Sequence, residues 1–297
     1  MDKRAHSDTY RLLDAGAEAR LEEVGGLRLF RPCPQAVWPR TLPAAEWAAA
    51  DAVYHRSEAG GGQWEYRHQP PADWTARLGG QPWQLKATGF GHLGLFPEQL
   101  AQWRWLETVS RALPAGSRTL NLFAYTGGST LAMARGGVEV SHVDAARGVV
   151  AWARDNARLQ GLEGAPVHWV IEDVMKFCHR EARRGRRYRG IVLDPPSFGR
   201  GPTGELWKLE SDLTDLLELC RGLLEPAGPA FVLLSAHSPG FSPLVLENAL
   251  AAVPGAAGAT LVSGEMTVPL GASGRLLPAG CFARWGRGVN VNLTGGG

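Results

Sequence analysis

The chain has few of the features that assign a protein to a class at once. It holds four cysteines, with no C-x-x-C pair and no spacing typical of a disulfide framework. We therefore expect no disulfide bonds and a reducing compartment. No apolar run approaches about eighteen residues, and the opening segment MDKRAHSDTYRLLDAG has no apolar core of the signal-peptide kind. We therefore expect a soluble, cytoplasmic protein without a membrane segment.

Strong charge and metal-ligand patterns are also lacking. The net charge of +2 is too small to indicate nucleic-acid binding by itself. The eight histidines show no ligand spacing with cysteine or carboxylate, so no metal is expected. One basic run does occur, with six arginines between Arg180 and Arg189. Its predicted place, after a helix and before a strand, is the rim opposite the ligand side, which favours a solvated face over a nucleic-acid contact.

A G-x-G-x-x-G turn is missing as well, although the order of elements suits a nucleotide site. Arg118 to Phe123 reads as a strand, a glycine-bearing turn follows, and a helical pattern begins at Ser129. A second apolar run ends in Asp144, at a distance that suits a β-α-β unit presenting a carboxylate to ribose hydroxyls. Without pyrophosphate glycines, a nucleoside ligand lacking phosphates fits best, and S-adenosylmethionine is the obvious one.

Strand and helix patterns alternate from residue 118 onward. The predicted strands are 118–123, 138–143, 167–171, 190–194 and 230–235, and a clear helical stripe runs from Leu209 to Leu224. Residues 259–262, 267–270 and 281–285 are expected to close the sheet, the last two as a hairpin. The fold class is therefore α/β, a Rossmann-like parallel sheet with helices on both faces, whose ligands lie at the carboxyl ends of the strands.

Four features fall at those strand ends: the turn after the first strand, Asp144, Asp173 and Asp194-Pro195-Pro196. The turn Phe123, Tyr125, Thr126, Gly127 and Gly128 is expected to approach the amino-acid end of the cofactor. Asp144 would accept from the ribose and Asp173 from the adenine amino group, although each could instead simply cap the next helix. Glu98 and Gln99, after Pro97 in the first turn of a helix, are further cofactor-binding candidates.

The run Asp194-Pro195-Pro196-Ser197-Phe198 is the sharpest local signal. Two successive prolines fix φ, remove two N–H donors and hold the chain rigidly extended. This would aim Asp194 at the reacting centre and make residues 195–198 the substrate-binding segment, with Phe198 stacking on a planar acceptor. His237, two residues past the fifth strand, is a candidate proton acceptor or acceptor-binding group, and a structural histidine is the other reading.

Residues 1–92 differ from the rest and are interpreted as a small β-rich lobe on the substrate side, followed by a catalytic domain over 93–297. They carry five of the eleven tryptophans. Leu12–Gly16 and Leu27–Phe30 are expected to be strands around a turn, Trp83–Lys86 another strand, and Ala44–Val53 one helix. The scattered tryptophans favour a core role, and a stacking surface for bases is the alternative.

These motifs together resemble a known family. The turn, Asp144, Asp173 and the Asp-Pro-Pro run resemble the S-adenosylmethionine-dependent methyltransferases of Rossmann-like fold. More narrowly, Asn121 to Gly128, Asn156 and the DPPSF run resemble the group that methylates C5 of cytosine in large-subunit ribosomal RNA, in a compact branch. The resemblance implies RNA as the partner, and it leaves the oligomeric state open.

Two departures from that group matter. Relatives often carry a front RNA-binding PUA domain, and nothing before Tyr10 leaves room for one. Cytosine-C5 methylation needs a thiolate, placed by the group in a Ser-Cys-Ser context after the fifth strand, where this chain reads Leu234-Ser235-Ala236-His237-Ser238. The C5 reaction is therefore not expected. The remaining alternatives are a protein or small-molecule methyltransferase, a dehydrogenase, and an RNA-binding module without catalysis.

Overall fold

The computed structural model describes residues 9–57, 60–200, 204, 206–252, 259–271 and 274–292. The chain forms two compact units. Unit 1 comprises Met1–Pro97 and Thr267–Pro278, and unit 2 comprises Glu98–Met266 and Ala279–Gly297. The sequence predicts one boundary near residue 92, whereas the first unit also includes the later segment Thr267–Pro278.

Unit 1 is mainly β-structure. Its first segment contains β1 (Arg11–Gly16), β2 (Ala19–Val24), β3 (Leu27–Pro32), α1 (Ala44–Ala48), β4 (Ala52–Arg56), β5 (Gly62–Tyr66), β6 (Thr75–Leu78) and β7 (Gln81–Gln84). β1, β2 and β3 form an antiparallel meander, β4 joins β3 in parallel, and β5 pairs antiparallel with β4. β6 and β7 form a separate hairpin.

Two local expectations for this unit were wrong. The predicted helix over 44–53 ends at Ala48, because the chain turns at Asp51, whose carboxylate accepts the backbone N–H of Arg28 at 2.8 Å. The strands at 12–16 and 27–30 are not direct neighbours, because β2 lies between them. Its sequence ARLEEV looks polar, yet Leu21, Val24 and the ion-paired Glu22 are all buried.

That ion pair joins Glu22 and Arg31. The buried carboxylate of Glu22 accepts from Nε and Nη2 of Arg31 at 2.6 and 2.8 Å and from the Tyr10 hydroxyl at 2.9 Å. Burial alone would raise the pKa of Glu22, but the charges of Arg20 and Arg31 and these hydrogen bonds outweigh it and lower the pKa to about 2. A pair of this kind is costly to break because either partner alone would be an uncompensated buried charge.

Unit 2 is an α/β sheet. Its elements are α2 (Leu100–Arg111), β8 (Arg118–Leu122), α3 (Gly128–Arg135), β9 (Glu139–Asp144), α4 (Arg147–Leu159), β10 (Val167–Ile171), α5 (Val174–Arg183), β11 (Gly190–Leu193), β12 (Phe198–Arg200), β13 (Leu206–Lys208), α6 (Leu209–Leu223), β14 (Ala230–Ala236) and α7 (Pro243–Ala251). Two long strands follow, β15 (Ala259–Leu270) and β16 (Arg275–Arg287), and each contributes residues to both units.

The strand order in unit 2 is β10-β9-β8-β11-β14-β16, parallel except for β16. The order runs outward from β8 to β10 and then reverses through β11 and β14. Right-handed crossovers therefore place α3 and α4 on one face and α5 and α6 on the other. The packing of α2 against α3, and of α5 against α6, agrees with this arrangement. The predicted fold class is confirmed, and the reversal point between β8 and β11 is the expected ligand crevice.

The five predicted parallel strands agree with β8, β9, β10, β11 and β14 to within a residue at each end. The predicted stretches at 259–262 and 267–270 are one continuous strand, β15, because the chain between them stays extended. Among the described residues, no helix has the length and apolar character needed to cross a membrane.

Replacing Glu22 by Gln should destabilise the protein in a pH-dependent way. The folded pKa lies below the ordinary 4.5, so the carboxylate stabilises the fold above about pH 4.5 and loses that effect as the pH falls through 2. The shift corresponds to about 3 kcal/mol at neutral pH. Urea unfolding of both proteins should show a gap at pH 6 that narrows toward pH 3. A gap independent of pH would contradict the charge assignment.

Candidate active site

The candidate residues leave the sheet of unit 2 at one level. Leu122 of β8 pairs in register with Val143 of β9 and with Leu193 of β11, and Leu193 pairs with Leu234 of β14. The residues that directly follow these four positions are Phe123, Asp144, Asp194 and Ser235. The carboxyl ends of the parallel strands therefore bring the predicted groups to one edge, beside the reversal point of the sheet.

The turn after β8 is strained and held by a carboxylate. Phe123 and Tyr125 have φ values of +55° and +45°, which cost free energy for residues with large side chains. The Tyr125 N–H donates to Oδ2 of Asp144 at 3.0 Å, and the buried Asn156 amide donates to the Thr126 carbonyl at 3.0 Å. Contacts from β9 and α4 thus hold the turn in its strained conformation, as is common where backbone groups bind a ligand.

Two glycines allow this turn to enter α3. Gly127 has φ +90°, in the left-handed region. A Cβ on Gly128 would lie 2.2 Å from the Trp103 ring, so α2 and α3 pack closely only because no side chain is present there. The Asn156 contact and the Gly128 contact are structural, and the sequence analysis gave neither of them this role.

Asp144 is more deeply engaged than the sequence suggests. Besides the Tyr125 N–H, its Oδ1 accepts from the Ala146 N–H at 2.9 Å. Burial raises the pKa of Asp144, and the two backbone hydrogen bonds oppose that rise without cancelling it. Each carboxylate oxygen has two lone pairs, so both retain capacity for a ribose hydroxyl.

Asp173 caps α5. Its Oδ1 accepts from the Lys176 N–H at 3.0 Å, which is the capping alternative considered for this residue. The cap uses one carboxylate oxygen, and the adenine contact predicted for Asp173 stays a prediction.

Asp194 accepts hydrogen bonds from Gln99 and Ser235 and lies beside His237. Gln99 donates from Nε2 to Oδ2 at 3.1 Å, and Ser235 donates from its hydroxyl to Oδ1 at 2.7 Å. His237 Nε2 lies 3.4 Å from the same Oδ1. Burial alone would raise the pKa of Asp194, but the positive charge of His237 and these hydrogen bonds outweigh it and lower the pKa. Asp194 is therefore a fixed anion at neutral pH.

His237 is its cationic partner. The imidazole donates from Nδ1 to the Ala279 carbonyl at 3.0 Å, and Nε2 faces Asp194, so both ring nitrogens have acceptors. Burial alone would lower the pKa of His237, but Asp194, and then Glu98, raise it to about 9. Because Asp194 and the Ala279 carbonyl engage both ring nitrogens, the contacts support a role of His237 in holding Asp194, and a direct role as proton acceptor or acceptor-binding group stays a prediction.

Gly280 fixes the place of that histidine. It has φ +123°, and a Cβ there would lie 2.8 Å from the Ala236 carbonyl oxygen and 2.9 Å from Nδ1 of His237. Only glycine allows β16 to approach the end of β14 this closely, which presents the Ala279 carbonyl to the imidazole.

Glu98 and Gln99 are largely buried in the 3₁₀ turn Pro97–Gln99 that precedes α2. Gln99 also donates to the Ser235 hydroxyl at 3.2 Å, so its amide holds Asp194 and Ser235 together. A positioning role for Gln99 is what the contacts support, and direct contact of either residue with the cofactor stays a prediction.

The segment after Asp194 is anchored by a residue that the sequence analysis missed. Trp207 Nε1 donates to the Pro196 carbonyl at 2.8 Å, and its ring centroid lies 4.9 Å from that of Phe123. Pro195 is buried, the hydroxyls of Ser197 and Ser238 are hydrogen-bonded at 2.6 Å, and the Phe198 side chain is 52% exposed. Phe198 is thus accessible to an acceptor.

All four cysteines are buried and free of disulfides. Cys281 of β16 pairs in register with Ala236, the residue before His237. Its Sγ contacts the carbonyl oxygens of Ala236 and Phe241 at 3.7 and 3.6 Å. Burial, with a smaller contribution from Glu265, raises the pKa of this thiol to about 11, which opposes formation of a thiolate.

The arginine run lies at the opposite end of β11 from Asp194 and is engaged locally. Arg180 and Arg184 form ion pairs with Glu172 and Glu181, while Arg189 donates to the Pro229 carbonyl. These contacts support the solvated-face reading. In the part of the chain that the structure describes, no cluster of three or more His, Cys, Asp or Glu side chains is arranged to hold a metal ion.

A parallel sheet with this reversal point, a strained turn after its first strand and carboxylates at its strand ends defines the class of nucleoside-binding α/β enzymes. Residues 41–256 match the family described as S-adenosylmethionine-dependent methyltransferase. The chain belongs to that family. A methyltransferase structure from Agrobacterium tumefaciens is 37% identical, with a TM-score of 0.86 over 93% of this chain and 90% of that one.

Other relatives are more distant. A methyltransferase structure from Streptococcus mutans is 18% identical with a TM-score of 0.73, over 95% of this chain and 76% of that one, which shows the fold alone. A curated relative, ribosomal RNA large subunit methyltransferase K/L of Shewanella baltica, is 34% identical over 151 residues, 50% of this chain. The K/L protein of Shewanella strain ANA-3 is 27% identical over 76% of this chain. The chain spans 20% and 34% of the lengths of these two proteins.

Replacing Asp144 by Ala should weaken S-adenosylmethionine binding by about 1–3 kcal/mol, the scale of a lost hydrogen bond to a buried charge. Titration calorimetry would measure this. Asp155→Ala is the matched control, because Asp155 is a carboxylate of α4 that pairs with Arg158. Unchanged affinity in the Asp144 variant would refute its role in the site.

The imidazole of His237 should titrate near pH 9, well above its ordinary 6.5. The pKa is raised, so the contact with Asp194 is complete below about pH 6.5 and is lost as the pH rises through 9. The side chain is 38% exposed, so solvent screens part of the attraction. A pH titration by NMR would follow the ring, and Asp194→Asn should move its midpoint toward 6.5. A wild-type midpoint of 6–7 would contradict the ion pair.

Proposed function

We propose that this protein transfers the methyl group of S-adenosylmethionine to RNA. The observation that carries the proposal is the Asp194 carboxylate, held by Gln99, Ser235 and His237 at the reversal point of the sheet and followed by two rigid prolines. The RNA part is supported by the ribosomal RNA methyltransferase names of the curated relatives. A ribosomal substrate would also account for the cytoplasmic location predicted from the sequence.

The residues present fit this cofactor. The turn of Phe123 to Gly128 leads into α3, where backbone N–H groups lack helical partners. Asp144 would hold the ribose hydroxyls, and Asp173 would accept from the adenine amino group through the oxygen that its cap does not use. The bound cofactor supplies a methyl group on a positively charged sulfur. The acceptor atom attacks the methyl carbon in line, and the sulfur leaves as a neutral thioether.

The acceptor side is formed by Asp194 and the segment after it. Pro195 and Pro196 keep the chain extended, so the position of the following residues is fixed without an ordering cost at binding. Phe198 would stack on the acceptor base, and the charged His237 would hold Asp194 in place. In this scheme Asp194 orients the acceptor group and takes up its proton only after transfer, because its pKa is lowered.

The acceptor atom is proposed to be nitrogen or oxygen. Methylation of a pyrimidine C5 requires a thiolate that adds to C6, because the carbon is a poor nucleophile. Cys281, the cysteine in register with the end of β14, is buried and its pKa is raised to about 11. A ring nitrogen, an amino group or a hydroxyl needs only placement and later loss of a proton.

The substrate class can be tested with extracts of a strain that lacks the gene. Methyl-labelled S-adenosylmethionine and the purified protein are added, and the product is digested with nuclease or protease. Label released by nuclease is expected. Label released only by protease would show that the substrate is a protein. Cofactor binding without any label in macromolecules would favour a small-molecule acceptor or a non-catalytic module.

Cys281→Ser should retain methyl transfer to RNA within about threefold, because a nitrogen or oxygen acceptor requires no thiolate. The kinetics of RNA labelling and identification of the methylated nucleoside would be compared with wild type. Cys33→Ser, at a buried cysteine of unit 1, is the matched control for loss of a buried thiol. Loss of activity in the Cys281 variant alone, with 5-methylpyrimidine as the wild-type product, would refute the acceptor assignment.

A further inference from the structure

The short hairpin of β12 and β13 lies directly after the Pro-Pro segment. Gly199 pairs with Trp207, and Phe198 pairs with Lys208. Because side chains alternate between the two faces of a strand, Trp207 lies on one face, while Phe198, Leu206 and Lys208 share the other. We call this second face, defined by these three residues, the outer face of the hairpin.

Trp207, on the opposite face of the hairpin, contacts both the acceptor side and the cofactor side of the site. Its indole donates to the Pro196 carbonyl on the acceptor side, and its ring packs on Phe123, a residue of the strained turn on the cofactor side. Leu209, the first residue of α6, donates its N–H to the Ser197 carbonyl at 3.0 Å. The hairpin is therefore attached at a fixed distance from the methyl-donor turn.

The outer face is apolar, basic and exposed. Phe198 is 52% exposed and Leu206 is 54% exposed, although both are residue types that proteins usually bury. Lys208 is exposed beside them, and its backbone N–H donates to the carboxylate of Asp212 at the start of α6. An aromatic ring, an aliphatic side chain and a cation on one face match the face of a nucleobase and the charge of its phosphate.

We propose that the outer face of this hairpin holds two successive unpaired nucleotides of the RNA, the acceptor base on Phe198 and its neighbour on Leu206 and Lys208, and that Trp207 is the positioning residue that keeps these contacts in register with the methyl donor. The proposal rests on the proposed RNA methyltransferase function. A single-stranded segment is the occupant, because a base is open to stacking only where it is unpaired.

The test measures methyl transfer to RNA by Leu206→Ser and Lys208→Gln, singly and together. The double variant should raise KM for RNA about tenfold, with kcat and the Kd for S-adenosylmethionine within twofold of wild type. Lys208→Gln should also lower the slope of log affinity against log salt by about one. Leu244→Ser on α7, 63% exposed, and Arg183→Gln at the end of α5 are matched controls that should behave as wild type.

The role of Trp207 is tested by Trp207→Phe, which keeps an aromatic ring against Phe123 and removes only the bond to the Pro196 carbonyl. This variant should fold, bind S-adenosylmethionine normally and raise KM for RNA several-fold. Thermal unfolding with and without cofactor checks its folding independently of activity. A normal KM for RNA in a folded Trp207→Phe protein would overturn the positioning role.

The two levels of the hypothesis fail in different ways. RNA labelled by wild type, with an unchanged KM for the double variant or an equal effect in the controls, would overturn the outer face as the RNA contact and leave the proposed function intact. An absence of RNA labelling by wild type would refute the proposed function, and label in a protein that the double variant fails to methylate would assign the outer face to a protein acceptor.

Discussion

The arrangement of the candidate site depends on one carboxylate. Asp194 accepts hydrogen bonds from Gln99 at the start of α2 and from Ser235 at the end of β14, and it attracts the His237 imidazole. His237 in turn donates to β16 through the Ala279 carbonyl. Elements far apart in the sequence therefore meet at one anion, and the positive charge of the imidazole keeps that carboxylate ionised in a partly buried place.

Most of unit 2 was predictable because its signals are local. Each parallel strand is a short apolar run, α6 has a clear apolar stripe, and the strand ends carry the carboxylates at the expected positions. The placement of Phe123, Asp144 and Asp194 at one edge followed from the general geometry of parallel sheets, and the register of the strands agrees with it.

The features that could not be predicted from the sequence depend on contacts between residues distant along the chain. β2 buries Glu22 against Arg31, and a reading of ARLEEV alone cannot show that partner. Trp207 donates to a carbonyl eleven residues earlier in the chain, and the charge of His237 depends on Asp194 and the Ala279 carbonyl, so a local stretch of sequence shows neither contact. The sequence reads Ser235-Ala236-His237 where the related group has Ser-Cys-Ser, and only the pairing of β14 with β16 places Cys281 opposite Ala236.

Unit 1 is assembled from two separated stretches of the chain, since residues 267–278 belong with the first 97. Leu270 of β15 pairs with Leu12 of β1, so a fragment that ended at residue 97 would leave that edge of β1 open to intermolecular pairing. A single recombination event could not exchange this lobe for another, because its closing strand is encoded behind the catalytic sheet. Unit 1 and the sheet of unit 2 are therefore expected to be inherited together.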